Sequence, residues 1–210
     1  MPATSKQKEM LERLREVYKD EGSALNFRNP YELLVATILA AQCTDARVNL
    51  ITEELFRRFP DAETLAAAET GEIEDYIKTC GLFRNKAKSL SQSARKLVED
   101  YGGQVPHTME ELLTLPGVGR KTASVVLAFG FGIPAIPVDT HVKRVANRLG
   151  FAHSDDPEEV EMELRKRIKK EDWIESHHWL IWHGRRVCKA QKPRCSECVL
   201  SDLCPSAKTE

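Results

Sequence analysis

The chain has 210 residues, 41% hydrophobic and 30% charged, which is the makeup of an ordinary globular protein long enough for one domain or two small ones. Its 31 Lys and Arg stand against 32 Asp and Glu, a formal net charge of −1, so no global field draws it to nucleic acid or membrane and any such affinity is local. The charge-free run Thr122–Val138, 17 residues broken by Gly130, Gly132, Pro134 and Pro137, is too short and too broken to cross a bilayer.

Apolar residues recur with a period near 3.6 along nearly the whole chain and never convincingly at period two, which predicts an all-α fold. Leu11, Leu14, Val17 and Tyr18 give an amphipathic helix that stops by Gly22. Leu33–Ala41 is apolar almost all round and reads as a core helix. The next helix runs through Val48, Ile51, Leu55 and Phe56 to Pro60, and helices follow near 63–68 and 70–79 before a stop at Gly81. Lys86–Tyr101 is a long helix closed by Gly102 and Gly103. Thr108 and Glu111 form a capping box for a short helix ending at Leu115, and a further helix runs from the glycine turn to about Phe129. Asp139 stands where an N-cap belongs before His141–Leu149. Pro157 opens an acidic-then-basic helix to Lys170, and a last helix, Trp173–Arg186, leads into a cysteine cluster.

Charge is segregated. Leu82–Leu97 holds Arg84, Lys86, Lys88, Arg95 and Lys96 and no acid. Ser176–Cys195 holds Arg185, Arg186, Lys189, Lys192 and Arg194, again without an acid, together with His177, His178 and His183. Two such runs suggest a phosphate-binding face on a neutral protein.

Four of the six cysteines crowd into the last 23 residues, spaced C-x6-C-x2-C-x5-C at Cys188, Cys195, Cys198 and Cys204. That is not the spread of a secreted disulfide framework, and the charged N-terminus lacks the apolar core of a signal peptide, so a cytoplasmic protein is expected. Four thiolates within this reach can wrap one zinc ion or one iron–sulfur cluster, and the uneven spacing suits the wider cluster better. Cys43 and Cys80 read as small buried hydrophobes in helical, core-like surroundings.

Leu115-Pro116-Gly117-Val118-Gly119 joins two short helices. Two glycines one residue apart permit positive φ and leave amides uncovered beside a helix N-terminus, a place for one backbone phosphate. Within LPGVGRKTA the segment matches a helix-hairpin-helix DNA-binding motif. Lys121 follows in the first helical turn, where the positive helix end, Arg120 and burial in a cleft would favour the neutral, nucleophilic amine. Asp139, 18 residues on, is the carboxylate that would accept a proton and steady positive charge.

LPGVGRKTA, PVDTHVKR (137–144), HHWLIWHGRRVC (177–188) and the four cysteines together resemble the endonuclease III family, as do NPYELLVATILAAQCTDARVN (29–49) and IKTCGLFRNKAKS (77–89). The resemblance covers essentially the whole chain. It implies two helical domains flanking a DNA-binding cleft that brings Lys121 and Asp139 together. One is a six-helix barrel over 24–133 with the hairpin at about 108–130, and the other a 4Fe–4S cluster domain from 1–23 and 134–210. It implies Lys121 as nucleophile, Asp139 as its assistant, and Cys188, Cys195, Cys198 and Cys204 as cluster ligands. DNA contacts would come from Gln42, Leu82, Gly117, Gly119, Lys189, Lys192 and Arg194. The adenine- and thymine-mismatch branches lack the lysine. The resemblance therefore implies a monomeric glycosylase and abasic-site lyase acting on oxidised pyrimidines in double-stranded DNA, in the cytoplasm or on the nucleoid. A non-catalytic helix-hairpin-helix protein with a structural metal, and a ferredoxin-like electron carrier, are the competing readings of the same residues.

Overall fold

The structure, a computed structural model, describes residues 2–207. Every regular element among them is helical, and none of the helices is long and apolar enough to cross a membrane. The described residues divide into two compact bodies, one of residues 23–133 and one of residues 2–22 with 134–207.

The 23–133 body holds α2 (Pro30–Ala40), α3 (Asp45–Arg58), α4 (Ala62–Ala67), α5 (Thr70–Ile77), α6 (Phe83–Tyr101), α7 (Met109–Leu112) and α8 (Arg120–Val125). α2 is its axis. Asn29 caps it by accepting the Glu32 N–H at 2.9 Å, Pro30 supplies a preset first turn, and every residue from Tyr31 to Leu39 is buried. The one charged group among these, Glu32, is 2% exposed and is held by Arg28, whose guanidinium lies 2.6 Å from it and whose own N–H donates to it at 2.7 Å. A buried carboxylate requires such a partner. Around α2 pack α3, α6 and α8, while α4 and α5 lie on α6.

Two local departures from the sequence reading have physical causes. The helix after the glycine turn is α-helical only to Val125 and continues as a π-helical turn over Val126–Gly130, the kind of widened turn found beside functional sites. The capping box at α7 is half made. Thr108 Oγ1 accepts the Glu111 N–H at 3.3 Å, but the Glu111 carboxylate takes the Thr108 hydroxyl at 2.7 Å instead of its backbone N–H.

The other body packs α1 (Ser5–Tyr18), α9 (Thr140–Arg148), α10 (Pro157–Arg167) and α11 (Trp173–Arg186). α1 opens with a complete capping box between Thr4 and Gln7 that the sequence reading passed over. Met10, Leu14, Val142, Val145, Leu164 and Trp179 belong to its core. α11 lies close on α9 because Gly184 has no Cβ; one there would come within 3.1 Å of His141 and Val145. α10 ends at Arg167, not at Lys170. Ile168 turns extended and is 3% exposed, and its carbonyl accepts the Trp173 indole N–H at 3.1 Å, so burying that side chain ends the helix early.

Candidate active site and cysteine cluster

The glycine turn between α7 and α8 is clamped from below. Ser93 on α6 donates its hydroxyl to the Pro116 carbonyl at 2.6 Å. Gly117 has φ +81°, and a Cβ there would lie 2.7 Å from Ser89 Cβ, so both backbone and packing demand glycine. Gly119 differs from the expectation that both glycines serve positive φ. Its φ is −96°, and a Cβ would meet nothing within 4 Å. The second glycine thus leaves the start of α8 bare, where the first-turn amides have no acceptor within the helix. Gly117→Ala should destabilise the protein by about 2–4 kcal/mol in urea unfolding, the sum of a strained φ and an overpacked contact. Gly119→Ala should cost less than about 0.5 kcal/mol; equal losses would mean the turn is not held as described.

Lys121 stands on the first turn of α8 in the 23–133 body and is exposed, where the sequence reading expects it buried in a cleft. Asp139 belongs to the other body, as the N-cap of α9, with Oδ1 accepting the Val142 N–H at 2.7 Å. The segment leading into it is tethered by His177 on α11, whose Nδ1 lies 2.8 Å from the Pro137 carbonyl. His177 thus holds the backbone two residues before Asp139, a role that its place in a basic run of the sequence does not announce. His177, His178 and His183 are 5%, 9% and 1% exposed, so none belongs to a solvated face. Lys86 is corrected likewise. It is 5% exposed and donates to the Leu39 carbonyl at 2.8 Å, tying α6 to the end of α2.

Gln42 and Leu82 sit in two turns of the 23–133 body, the first following α2 and the second preceding α6. Both are exposed, Leu82 to 57%, and both have left-handed backbone, φ 54° and 58°. Two non-glycine residues held there cost about 1–2 kcal/mol each, and such strain collects where a side chain must be presented. Cys43 and Cys80 are in these same turns and not in helices.

Cys188, Cys195, Cys198 and Cys204 line one cavity of about 400 Å3, together with Arg148, His183, Lys192 and Arg194. None is in a disulfide. Arg148 donates to Cys188 Sγ at 3.4 Å, and the Leu200 N–H to Cys198 Sγ at 3.4 Å, contacts suited to thiolate sulfurs bound to iron. Burial pushes the Cys198 and Cys204 thiols up, and the neighbouring cysteines push them further, so gathering four thiolates here calls for a compensating cation. His183 Nε2 lies 3.6 Å from Cys198 Sγ, and burial holds its imidazole down to about 4, neutral at pH 7. The cavity and the donor set fit an iron–sulfur group. Lys192 and Arg194 of its lining are exposed, as is Lys189 next to Cys188; Lys192 has φ 47°, and Arg194 pairs with Glu197 at 3.2 Å. Sequence reasoning missed Arg148, which also donates to the carbonyls of Lys189 and Ala190 at 2.7 and 3.0 Å and so shapes this basic loop.

Comparison with known proteins first fixes the class. The model for HhH-GPD superfamily base excision DNA repair protein matches residues 35–170, and that for the iron-sulfur binding domain of endonuclease III matches residues 188–204. Endonuclease III of Synechocystis sp. is 52% identical over 209 residues, 98% of this chain and 95% of that protein. The structure of a non-covalent endonuclease III–DNA complex is 45% identical with a TM-score of 0.92, and that of a trapped endonuclease III–DNA covalent intermediate 45% identical with 0.91. Each covers 97% of both chains. The chain belongs to the endonuclease III family, and its cofactor is a 4Fe–4S cluster. Purified protein should therefore contain about four irons and four inorganic sulfides per chain. Cys198→Ala should lose most of both by metal and sulfide analysis, and unfold at lower urea; one zinc and no sulfide would contradict this.

Proposed function

We propose that this protein is a base-excision DNA repair enzyme, a glycosylase that removes oxidised pyrimidines from double-stranded DNA and then cleaves the abasic strand through a lysine Schiff base. The observation that carries the reading is the exposed Lys121 on the turn after the glycine hairpin, in a chain 45% identical to a protein trapped covalently on DNA. A covalent intermediate needs a nucleophile, and an amine supplies the kind that borohydride can fix.

The damaged nucleotide leaves the stack, at a cost of a few kcal/mol that is smallest for a base already poorly stacked. Gln42 and Leu82 fill the gap it leaves. The amides of the hairpin around Gly117 and Gly119 hold one phosphate, and Lys189, Lys192 and Arg194 hold others. The neutral Lys121 amine attacks the sugar C1′ as the C1′–base bond breaks, and the base leaves with the bonding electron pair and takes a proton from solvent. Asp139, as carboxylate, stabilises the cationic sugar and takes up the proton that the amine loses. Ring opening leaves a Schiff base between Lys121 and C1′. Loss of a proton from C2′ then expels the 3′ phosphate by β-elimination, and water releases the lysine. Cys188, Cys195, Cys198 and Cys204 hold the 4Fe–4S cluster, which serves as a cross-link that shapes the basic loop. The enzyme works as a monomer in the cytoplasm, on the nucleoid where the cell is prokaryotic.

The test is borohydride trapping against duplexes that each carry one lesion. Duplexes with an oxidised pyrimidine or an abasic site should give a covalent band, and undamaged DNA or an oxidised purine should not. Binding without any trapped band would return the chain to the non-catalytic reading.

A further inference from the structure

Cys43 and Cys80 have no place in the chemistry above, yet their Sγ atoms lie 3.7 Å apart. Each belongs to a turn that closes a helix: the Cys43 N–H donates to the Ala40 carbonyl beyond α2, and the Cys80 N–H to the Ile77 carbonyl at the end of α5. Backbone meets backbone as well, since a Cβ on Gly81 would sit 3.4 Å from the Gln42 carbonyl oxygen. The sulfurs therefore bridge the turn of Gln42 to the turn of Leu82, both held in left-handed conformations.

We propose that Cys43 and Cys80 are a hydroperoxide-reactive thiol pair whose disulfide clamps the Gln42 turn to the Leu82 turn. Cys80 is 3% exposed whereas Cys43 is half-buried, so Cys43 is the sulfur that meets the oxidant. Burial, and then Cys43 itself, push the Cys80 thiol up to about 11, which keeps it protonated until needed. The Cys43 thiolate attacks one peroxide oxygen, the O–O bond breaks, and a sulfenic acid forms with release of hydroxide, which gathers a proton to leave as water. Cys80 sulfur then attacks the sulfenic sulfur as its thiol proton passes to the departing hydroxyl, the S–O bond breaks, and a second water leaves. In sum, two thiols and one hydrogen peroxide give one disulfide and two waters, the two electrons passing from sulfur to oxygen. Bond formation brings the sulfurs from their 3.7 Å contact to about 2.04 Å and ties the two turns covalently to each other. Ordering the turns beforehand lowers the cost of docking them on DNA. That consequence rests on the proposed DNA-facing role of Gln42 and Leu82; the formation of the disulfide does not.

The experiment treats the full-length, cluster-loaded protein with hydrogen peroxide at a level that leaves its visible iron–sulfur absorption unchanged. The protein is then alkylated and digested without reductant. Mass spectrometry should find the Cys43 and Cys80 peptides joined, released by dithiothreitol, and unjoined in Cys43→Ala and Cys80→Ala. Cys43 is half-buried in a turn, so its alanine variant keeps the test sound if the buried Cys80→Ala folds poorly. Affinity for a duplex with a stable abasic-site analogue should rise about threefold to tenfold on oxidation of the wild type only. Free Cys43, or Cys43 recovered as sulfinic acid without the cross-link, would overturn the thiol pair. A cross-link with unchanged or weaker DNA affinity would overturn the clamp and the placement of Gln42 and Leu82 on DNA, while trapping on Lys121 would report separately on the glycosylase reading.

Discussion

Lys121→Gln should give a folded protein that binds damaged DNA and yields neither a borohydride-trapped adduct nor a cut strand. The substituted side chain is exposed at the head of α8, so nothing in the core moves. Its amide keeps most of the reach of the lysine and leaves the hairpin untouched, so the dissociation constant for a lesion duplex should stay within about tenfold. No other group is proposed as nucleophile, and the loss of lyase turnover should therefore approach the detection limit, many powers of ten. A trapped band that persists in Lys121→Gln would place the covalent chemistry on another residue.

Asp139→Asn should separate two steps that Lys121→Gln removes together. The asparagine retains an oxygen in place to accept the Val142 N–H, so the cap of α9 and the urea midpoint should change little. What disappears is the negative charge. Base excision, which builds positive charge on the sugar, should slow by about 10²–10⁴. An abasic site presents an aldehyde and has no base to expel, so cleavage there should slow much less. The ratio of the two losses is the quantity to measure, in single-turnover assays on matched duplexes. Equal losses would mean that Asp139 acts on Lys121 or on the fold and not on the departing base. His177→Ala, by freeing the Pro137 carbonyl, should move the same ratio in the same direction but by less.

The features legible in the sequence are those set by local chemistry. The N-cap at Asp139, the glycine turn, the apolar α2 and the start of α11 at Trp173 each follow from a few neighbouring residues. What was misread depended on partners far along the chain. Lys86 looks like one more surface cation until α2 turns out to offer the Leu39 carbonyl to it. His183 looks like part of a basic run, yet α1 brings Tyr18 to within 3.2 Å of its ring and Cys198 flanks the other nitrogen. Periodicity carried the helix from Pro157 three residues too far because Ile168 fits the helical pattern equally well; only its burial under Trp173 shows the break. At Gln42 and Leu82 the left-handed residue is itself not a glycine, and the Gly81 beside Leu82 reads only as a helix stop, so no local signal announces the strained conformation.

The split of one body between the two ends of the chain has a consequence for how the protein is made. α1 leaves the ribosome well before its partners: Tyr18 pairs with His183, 165 residues later, and Arg13 with Asp202, 189 residues later. Through most of synthesis, Met10 and Leu14 are a bare apolar stripe with no partner yet translated. The 23–133 segment emerges whole in the meantime and can condense around α2. The strongly charged outer face of α1, with Lys6, Lys8, Glu9, Glu12, Arg13 and Arg15 around that stripe, then keeps the waiting helix in solution. In refolding of the full chain the partners are all present, but the same long separations mean that the N-terminal helix should gain hydrogen-exchange protection after the core of α2.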